Sequence, residues 1–195
     1  MDLTSYLLGK NASSGGGGGG TFNATIKEVN STVDYDYGIK QFISEVKNIK
    51  ISVSYAGRLF QNDTALETVT SIDCNNSCGS LFHVFDGCSN LETIEEITNT
   101  GALTDIGYIC YNCTKLKDFP SFDSSHIEGM GYAFANCTLL SDETLNNILD
   151  ICIHATSYTS TKKLSALGIT DTTLKNKIPT LSNYQDFLNA GWTIA

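Results

Sequence analysis

Residues 85–94 read FDGCSNLETI, and the same wording returns in altered form as FQNDTALETV at 60–69 and CYNCTKLKDF at 110–119. Aligned on the cysteine, the copies place Asp63, Cys88, Cys113 and Cys137 at spacings of 25, 25 and 24 residues. Three residues before each anchor stand Phe60, Phe85, Cys110 and Phe134, and three residues after it stand Leu66, Leu91, Leu116 and Leu140. The segments that follow, LETVTSI, LETIEEI and LKDFPSF, share an L-x-x-φ-x-x-φ frame in which φ is apolar, and ISEVKNI at 43–49 reads as an earlier, worn copy. A fixed period of this length has a physical meaning. One copy cannot bury its own apolar side, whereas stacked copies bury a shared one.

The remaining composition narrows the class. A chain of 195 residues sustains one core with appendages, and its formal net charge is -9 with Arg58 the only arginine. A phosphate-binding surface needs a basic stripe, so nucleic acid and anionic membranes are not expected partners. No apolar run approaches the roughly 20 residues that span a bilayer. Seven cysteines, an odd number, cannot all pair within one chain and are read as buried thiols. Cys74 and Cys78 fall outside the repeat register, where a local thiol pair or disulfide on the convex side stays open.

The frame resembles the BspA-like leucine-rich repeats of bacterial and phage surface proteins, whose units read roughly F-x-x-C-x-x-L-x-x-I before a short turn or helical segment. The resemblance covers residues 38–140 and departs from the pattern at Asp63 and Cys110. It implies an α/β solenoid, a short leucine-rich-repeat array with a parallel sheet on one face, closed by an α+β cap over 141–195. The cap wording, LNNILDICIHATSYTSTKKLSALGI followed by LSNYQDFLNAGW, is similar to caps on such repeats in phage and prophage structural proteins of Gram-positive hosts.

Within the cap, Ser141 reads as an N-cap, with Leu145, Ile148, Leu149 and Cys152 on one helical face. KKLSALGI reads as a strand, and TDTTLKNKI as a short helix from Thr170. SNYQDFLNAG reads as a helix with Ser182 and Gln185 in a capping box and Gly191 as its stop, before a last strand through Trp192 and Ile194.

Ahead of the repeats, Leu3, Tyr6, Leu7 and Leu8 share one side of a short helix over 1–10, too short to be stable without a surface to dock on. Residues 11–20 form a glycine-rich tether with a reach of about 17 Å. Residues 21–37 form a β-rich connector, through which three chains could join. The opening peptide carries Asp2 and too short an apolar core for a secretory signal, so synthesis in a cytoplasm is expected.

Chemistry is sparse. CNNSC and CYNC have thiolate spacing, but Cys113 and Cys110 already have core explanations, so neither a metal nor a cofactor is expected. His83, His126 and His154 lie far apart, and no nucleophile elbow or phosphate loop is present. Glu95, Glu96 and Asp118 leave a carboxylate pair as the remaining enzymatic alternative. Alternation about Val69, Ile94 and Phe119 turns Thr68, Thr70, Thr93, Glu95 and Asp118 outward as a polar binding face. The reading is a non-enzymatic virion protein, docked to other virion proteins by its N-terminal peptide and displaying the repeats for host-surface glycan or protein binding or for capsid or tail decoration. The alternative is a bacterial interaction module or adhesin that acts without a virion.

Overall fold

The computed structural model describes residues 20–26, 43–51 and 54–195. The expected docking helix, most of the tether and the connector beyond residue 26 lie outside these residues. Four strands, β1 (Gly20–Ile26), β2 (Ile43–Ile51), β3 (Thr68–Asp73) and β4 (Thr93–Thr98), form one parallel sheet in the order β1-β2-β3-β4. Val46, Val69 and Ile94 lie in register across it, as do Ile49, Ile72 and Ile97. β-Branched residues suit this pleated, half-buried surface.

A second ladder runs opposite. Parallel bridges join Tyr55 to Ser80, Ser80 to Asp105, and Asp105 to Gly129. From these points the chain follows a turn path in which alternate amides have different duties. The N–H groups of Leu81, His83, Phe85 and Gly87 donate to the carbonyls of Asp105, Gly107, Ile109 and Tyr111 in the next unit, at 2.8–3.0 Å. Those of Val84, Asp86 and Cys88 close local turns onto Leu81, His83 and Phe85. Backbone groups buried away from water must be paired, and this alternation pairs them without a regular strand or helix.

The turn path requires left-handed backbone at two points per unit. One file of such residues is Arg58, His83, Tyr108 and Tyr132, and the other is Asn62, Gly87, Asn112 and Asn136. Asparagine and glycine tolerate this conformation, whereas bulky residues do not favour it and are held there by their neighbours.

Between sheet and turn lies the core. Phe60 and Phe85 stack with centroids 5.6 Å apart, and Leu66, Leu91, Leu116 and Leu140 are buried. In the third unit Cys110 stands in the phenylalanine slot, while Phe119 replaces the aliphatic residue of the other units. The Phe119 ring packs edge-on against Phe134 at 4.9 Å. The volume missing at residue 110 is thereby restored from residue 119, and total core volume matters more than its source.

The anchor thiols are bonded as well as buried. Cys88, Cys113 and Cys137 donate to the carbonyls of Phe60, Phe85 and Cys110 in the preceding units, at 3.0–3.1 Å. Cys74 and Cys78 are also fully buried free thiols, hydrogen-bonded to each other, so of the two arrangements left open for them the structure holds the local thiol pair and not the disulfide. Cys78 donates to the Ser80 carbonyl in the interior.

Helix α1 (Asp142–His154) covers the last unit, capped by Ser141, whose hydroxyl accepts from the Thr144 N–H at 3.2 Å. It buries Leu145, Ile148, Leu149 and Cys152, together with Thr144 and Ile151. Its polar side chains serve backbone that a further strand would have paired. Thr144 Oγ1 accepts from the Phe119 N–H at 2.9 Å, and the Asn147 amide donates to the Phe119 carbonyl at 3.0 Å.

The segment read as a strand is instead a 3-10 turn, Leu164–Leu167, with a single bridge from Lys163 to Thr193. The reason is that the carbonyls of Ala166 and Leu167 must accept from the N–H groups of Tyr132 and Phe134, which continues the turn path rather than the sheet. Helix α2 (Thr172–Lys177) begins after Asp171, which caps it by accepting from the Leu174 N–H, and not at Thr170.

In α3 (Tyr184–Asn189) the expected capping box is absent. The Ser182 hydroxyl donates to Asn146 Oδ1 on α1, a tertiary bond that outcompetes the local cap. Gly191 does adopt left-handed backbone after this helix. Trp192 is buried, stacks on Tyr158 and Phe187, and donates its indole N–H to the Cys152 carbonyl at 2.9 Å.

Phe85→Ala should lower unfolding free energy by about 3–5 kcal/mol, because it empties a close-packed site on the Phe60 ring. Urea denaturation checks this, and a loss below 1.5 kcal/mol, the most that volume-conserving swaps usually cost, would show that the stacked units close around the gap.

Candidate binding surfaces

The outer face of the sheet is built by a three-residue rhythm rather than by strict alternation. Along β3 and β4 the buried residues are Val69 and Ile72, then Ile94 and Ile97, so two consecutive side chains stand outside between each pair. The outward pairs are therefore Thr70 with Ser71, and Glu95 with Glu96. This corrects the expectation that every second residue faces out: Ser71 and Glu96 belong to the face and alternation missed them. The L-x-x-φ-x-x-φ spacing itself contained that signal, since apolar residues three apart cannot all be inward in a strand of period two.

Thr68, Thr93 and Asp118 form one file across the sheet, as Thr68 pairs with Thr93 and Thr93 bridges to Asp118. Thr93 and Thr68 are half-buried and Asp118 is exposed. The Asp118 carboxylate accepts from the Ser141 hydroxyl at 3.1 Å and from Thr93 at 3.5 Å. Thr70 and Glu95 hold corresponding positions in β3 and β4. Near this face Lys117 pairs with Glu92 at 2.7 Å, which holds the Glu92 carboxyl below the ordinary range, although both groups are in water and the pair adds little stability.

The turn face carries rings. His83 stacks on Tyr108 at 4.4 Å, and Tyr108 stacks on Tyr132 at 5.2 Å. His83 Nδ1 lies 2.7 Å from Asp86 Oδ2, which also accepts from the Gln61 amide at 2.7 Å. Gln61 in turn accepts from Arg58 at 3.1 Å. Sequence reading singled out none of these tyrosines, although Tyr108 and Tyr132 hold the same register position 24 residues apart. His126 and His154 lie elsewhere, His126 against the Ser125 hydroxyl and His154 against Asp150.

The electrostatics offer no reactive thiol among the repeat anchors. Burial holds the Cys88, Cys113 and Cys137 thiols far above their ordinary value, and so keeps them protonated. Among the described residues, no group of three His, Cys, Asp or Glu side chains is placed to hold a metal ion, and no helix is long and apolar enough to cross a membrane. A small cavity of about 130 Å³ lies between the fourth unit and the cap, lined by Asn136, Thr138, Gly168 and Asp171 among others. Asp171 is already engaged there as the cap of α2.

No family model matches the chain, and neither the curated proteins nor the solved structures contain a match to it.

Asp63 is the departure with a measurable consequence. It occupies the anchor position, is fully buried, and accepts from the Ala65 N–H at 3.0 Å, while Oδ2 has no hydrogen-bond partner among the described residues. Burial raises its carboxyl above the ordinary value against the opposing effect of those backbone bonds. The folded chain thus holds the proton more tightly than the unfolded one, and unfolding free energy falls as pH rises from about 4 through the raised value. Asp63→Asn should flatten that part of the profile, read from urea midpoints across the acid range. A variant profile parallel to the wild type would assign the dependence to other groups.

Proposed function

We propose that this chain is a non-enzymatic binding protein of a virus particle, a leucine-rich-repeat array displayed on a glycine tether. The observation that carries the reading is the separation of duties in the repeat. The frame residues Leu66, Val69 and Ile72, and their counterparts Leu91, Ile94 and Ile97, are all buried. The side chains between them, Thr70 and Ser71 or Glu95 and Glu96, stand outside and differ between units. Such a surface can change its contacts without changing its core.

Hydroxyls and carboxylates on an open sheet face favour polar partners, such as a host-surface glycan or protein, through shallow contacts that gain strength by multiplicity. Many copies on one particle supply that multiplicity. The peptide with Leu3, Tyr6, Leu7 and Leu8, followed by the glycine run, supports attachment to other virion proteins, with the repeats serving host contact or decoration of capsid or tail.

Particles assembled with a chain lacking residues 1–20 should contain none of it, while the deleted chain remains folded and its melting temperature changes little. Undiminished incorporation in purified particles, measured by mass spectrometry, would refute docking through that peptide. Particles carrying the triple variant Thr70→Ala, Glu95→Gln and Glu96→Gln should assemble normally and adsorb to host cells less well. Unchanged adsorption would favour decoration over host attachment.

A further inference from the structure

We propose that Cys74 and Cys78 are a redox pair, a dithiol that small-molecule disulfides oxidise to an internal disulfide, locking the corner where the chain leaves β3 for the turn face. The pair belongs to the frame of the stack, and its chemistry does not rest on the reading of the chain as a virion protein.

Three successive corners show what this part of the frame needs. The N–H groups of Cys78, Leu103 and Ile127 donate to the carbonyls of Cys74, Thr100 and Ser124, at 2.7–3.1 Å. All six residues are buried. Leu103 and Ile127 fill their slot with an aliphatic side chain. Thr100 and Ser124 donate their hydroxyls to the carbonyls of Asp123 and Ile151, at 2.8 and 2.9 Å. Only at 74–78 does sulfur occupy both slots, and there the two thiols bond to each other. Packing does not require this, since the next two corners close with an aliphatic and a hydroxyl side chain.

The backbone already holds the pair near bonding geometry. Closure from residue 78 to residue 74 sets their Cα atoms about 6 Å apart, the rise of four residues in a helical turn. A disulfide spans roughly 4.4–6.8 Å between Cα atoms. Access lies through the tip of the turn. Asn76 and Ser77 are exposed, and Asn75 and Asn76 both hold left-handed backbone with φ of 51°. Opening such a surface turn costs less than unfolding the stack.

The two thiols have unequal roles. The bond from Cys74 holds the Cys78 thiol below its ordinary value against the effect of burial, and the Ser80 and Ala56 backbone groups act in the same direction. The same bond, together with burial, holds Cys74 far above the ordinary value. Cys78 is therefore the first to ionise, and the thiolate is the attacking species. It attacks one sulfur of a small disulfide such as oxidised glutathione, forming a mixed disulfide and releasing one glutathione thiolate. With Cys78 in that bond, the charge and hydrogen bond that raised Cys74 are gone. Cys74 then gives its proton to the released thiolate and attacks Cys78 Sγ, which expels the second glutathione. Two protein S–H groups become one S–S bond, and one molecule of oxidised glutathione becomes two of the reduced form. Cys110 and Cys113 also bond to each other, but burial holds both above their ordinary value, so neither supplies the thiolate.

The full chain is incubated in native buffer with oxidised glutathione, free thiols are blocked, and peptide mapping by mass spectrometry locates the bonds. One disulfide, Cys74 to Cys78, should form, with the other five cysteines still thiols and with dithiothreitol restoring all seven. The oxidised chain should melt at least about 2 °C higher than the reduced one. Two variants copy neighbouring corners so that the fold is retained, as thermal melts of the reduced proteins verify. Cys78→Leu should abolish the reaction, and Cys74→Ser should halt it with one glutathione on Cys78. The proposal is overturned if Cys74 and Cys78 stay reduced until urea unfolds the chain, if Cys110 and Cys113 close first, if Cys78→Leu consumes oxidant like the wild type, or if closure leaves the melting temperature unchanged or lower.

Discussion

The structure depends on backbone hydrogen bonds between residues 23 or 24 positions apart on the turn face. Each unit offers alternate N–H groups to the next and uses the intervening ones to close its own turns. A net contribution of about 0.5–1.5 kcal/mol per bond is modest. The bonds also impose identical paths on successive units, and that constraint explains the rest. It places left-handed backbone at Arg58, His83, Tyr108 and Tyr132, where the intrinsic preference opposes it by roughly 1–2 kcal/mol per residue. Bonds on both sides of each unit hold these residues in place.

Once the paths coincide, side chains at one register position fall into files. Phenylalanine fills one file, and the anchor cysteines fill another while donating to carbonyls of the preceding unit. A thiol is suited to that place because it is small, apolar and a weak donor. Asp63 has the size for the site but leaves an oxygen without a partner among the described residues. The third unit shows that a file tolerates exchange, since Cys110 and Phe119 trade volume across the core.

A stack must also end, and the cap ends each ladder by a different device. At the sheet, Thr144 and Asn147 of α1 bond to the backbone of Phe119. At the turn face, the 3-10 turn presents the carbonyls of Ala166 and Leu167 to Tyr132 and Phe134. Gly168 follows in left-handed conformation and lies so close to Ala135 that a side chain would collide with it. The outer surfaces are thereby released from structural duty, which is why Glu95, Glu96 and the tyrosine file can differ from unit to unit.

Periodicity in the chain determined which residues are inside. Phe60, Phe85, Cys110, Phe134 and the following leucines could be named from spacing alone, because burial recurs with the period that stacking imposes. The Ser141 cap and the buried face of α1 were legible for a similar reason, as both follow from local helix geometry. The surfaces were not legible in that way. Whether Glu96 faces out depends on a three-residue rhythm within the strand, and whether Tyr108 meets Tyr132 depends on a turn path that brings distant residues into contact. KKLSALGI has the composition of a strand, yet the carbonyls demanded by the preceding unit fold it into a turn, and Ser182 deserts its helix for Asn146. Glu96 could have been read from the L-x-x-φ-x-x-φ spacing, but for the tyrosines, KKLSALGI and Ser182 a contact between segments far apart in the chain decided the outcome, and only the tertiary structure specifies such contacts.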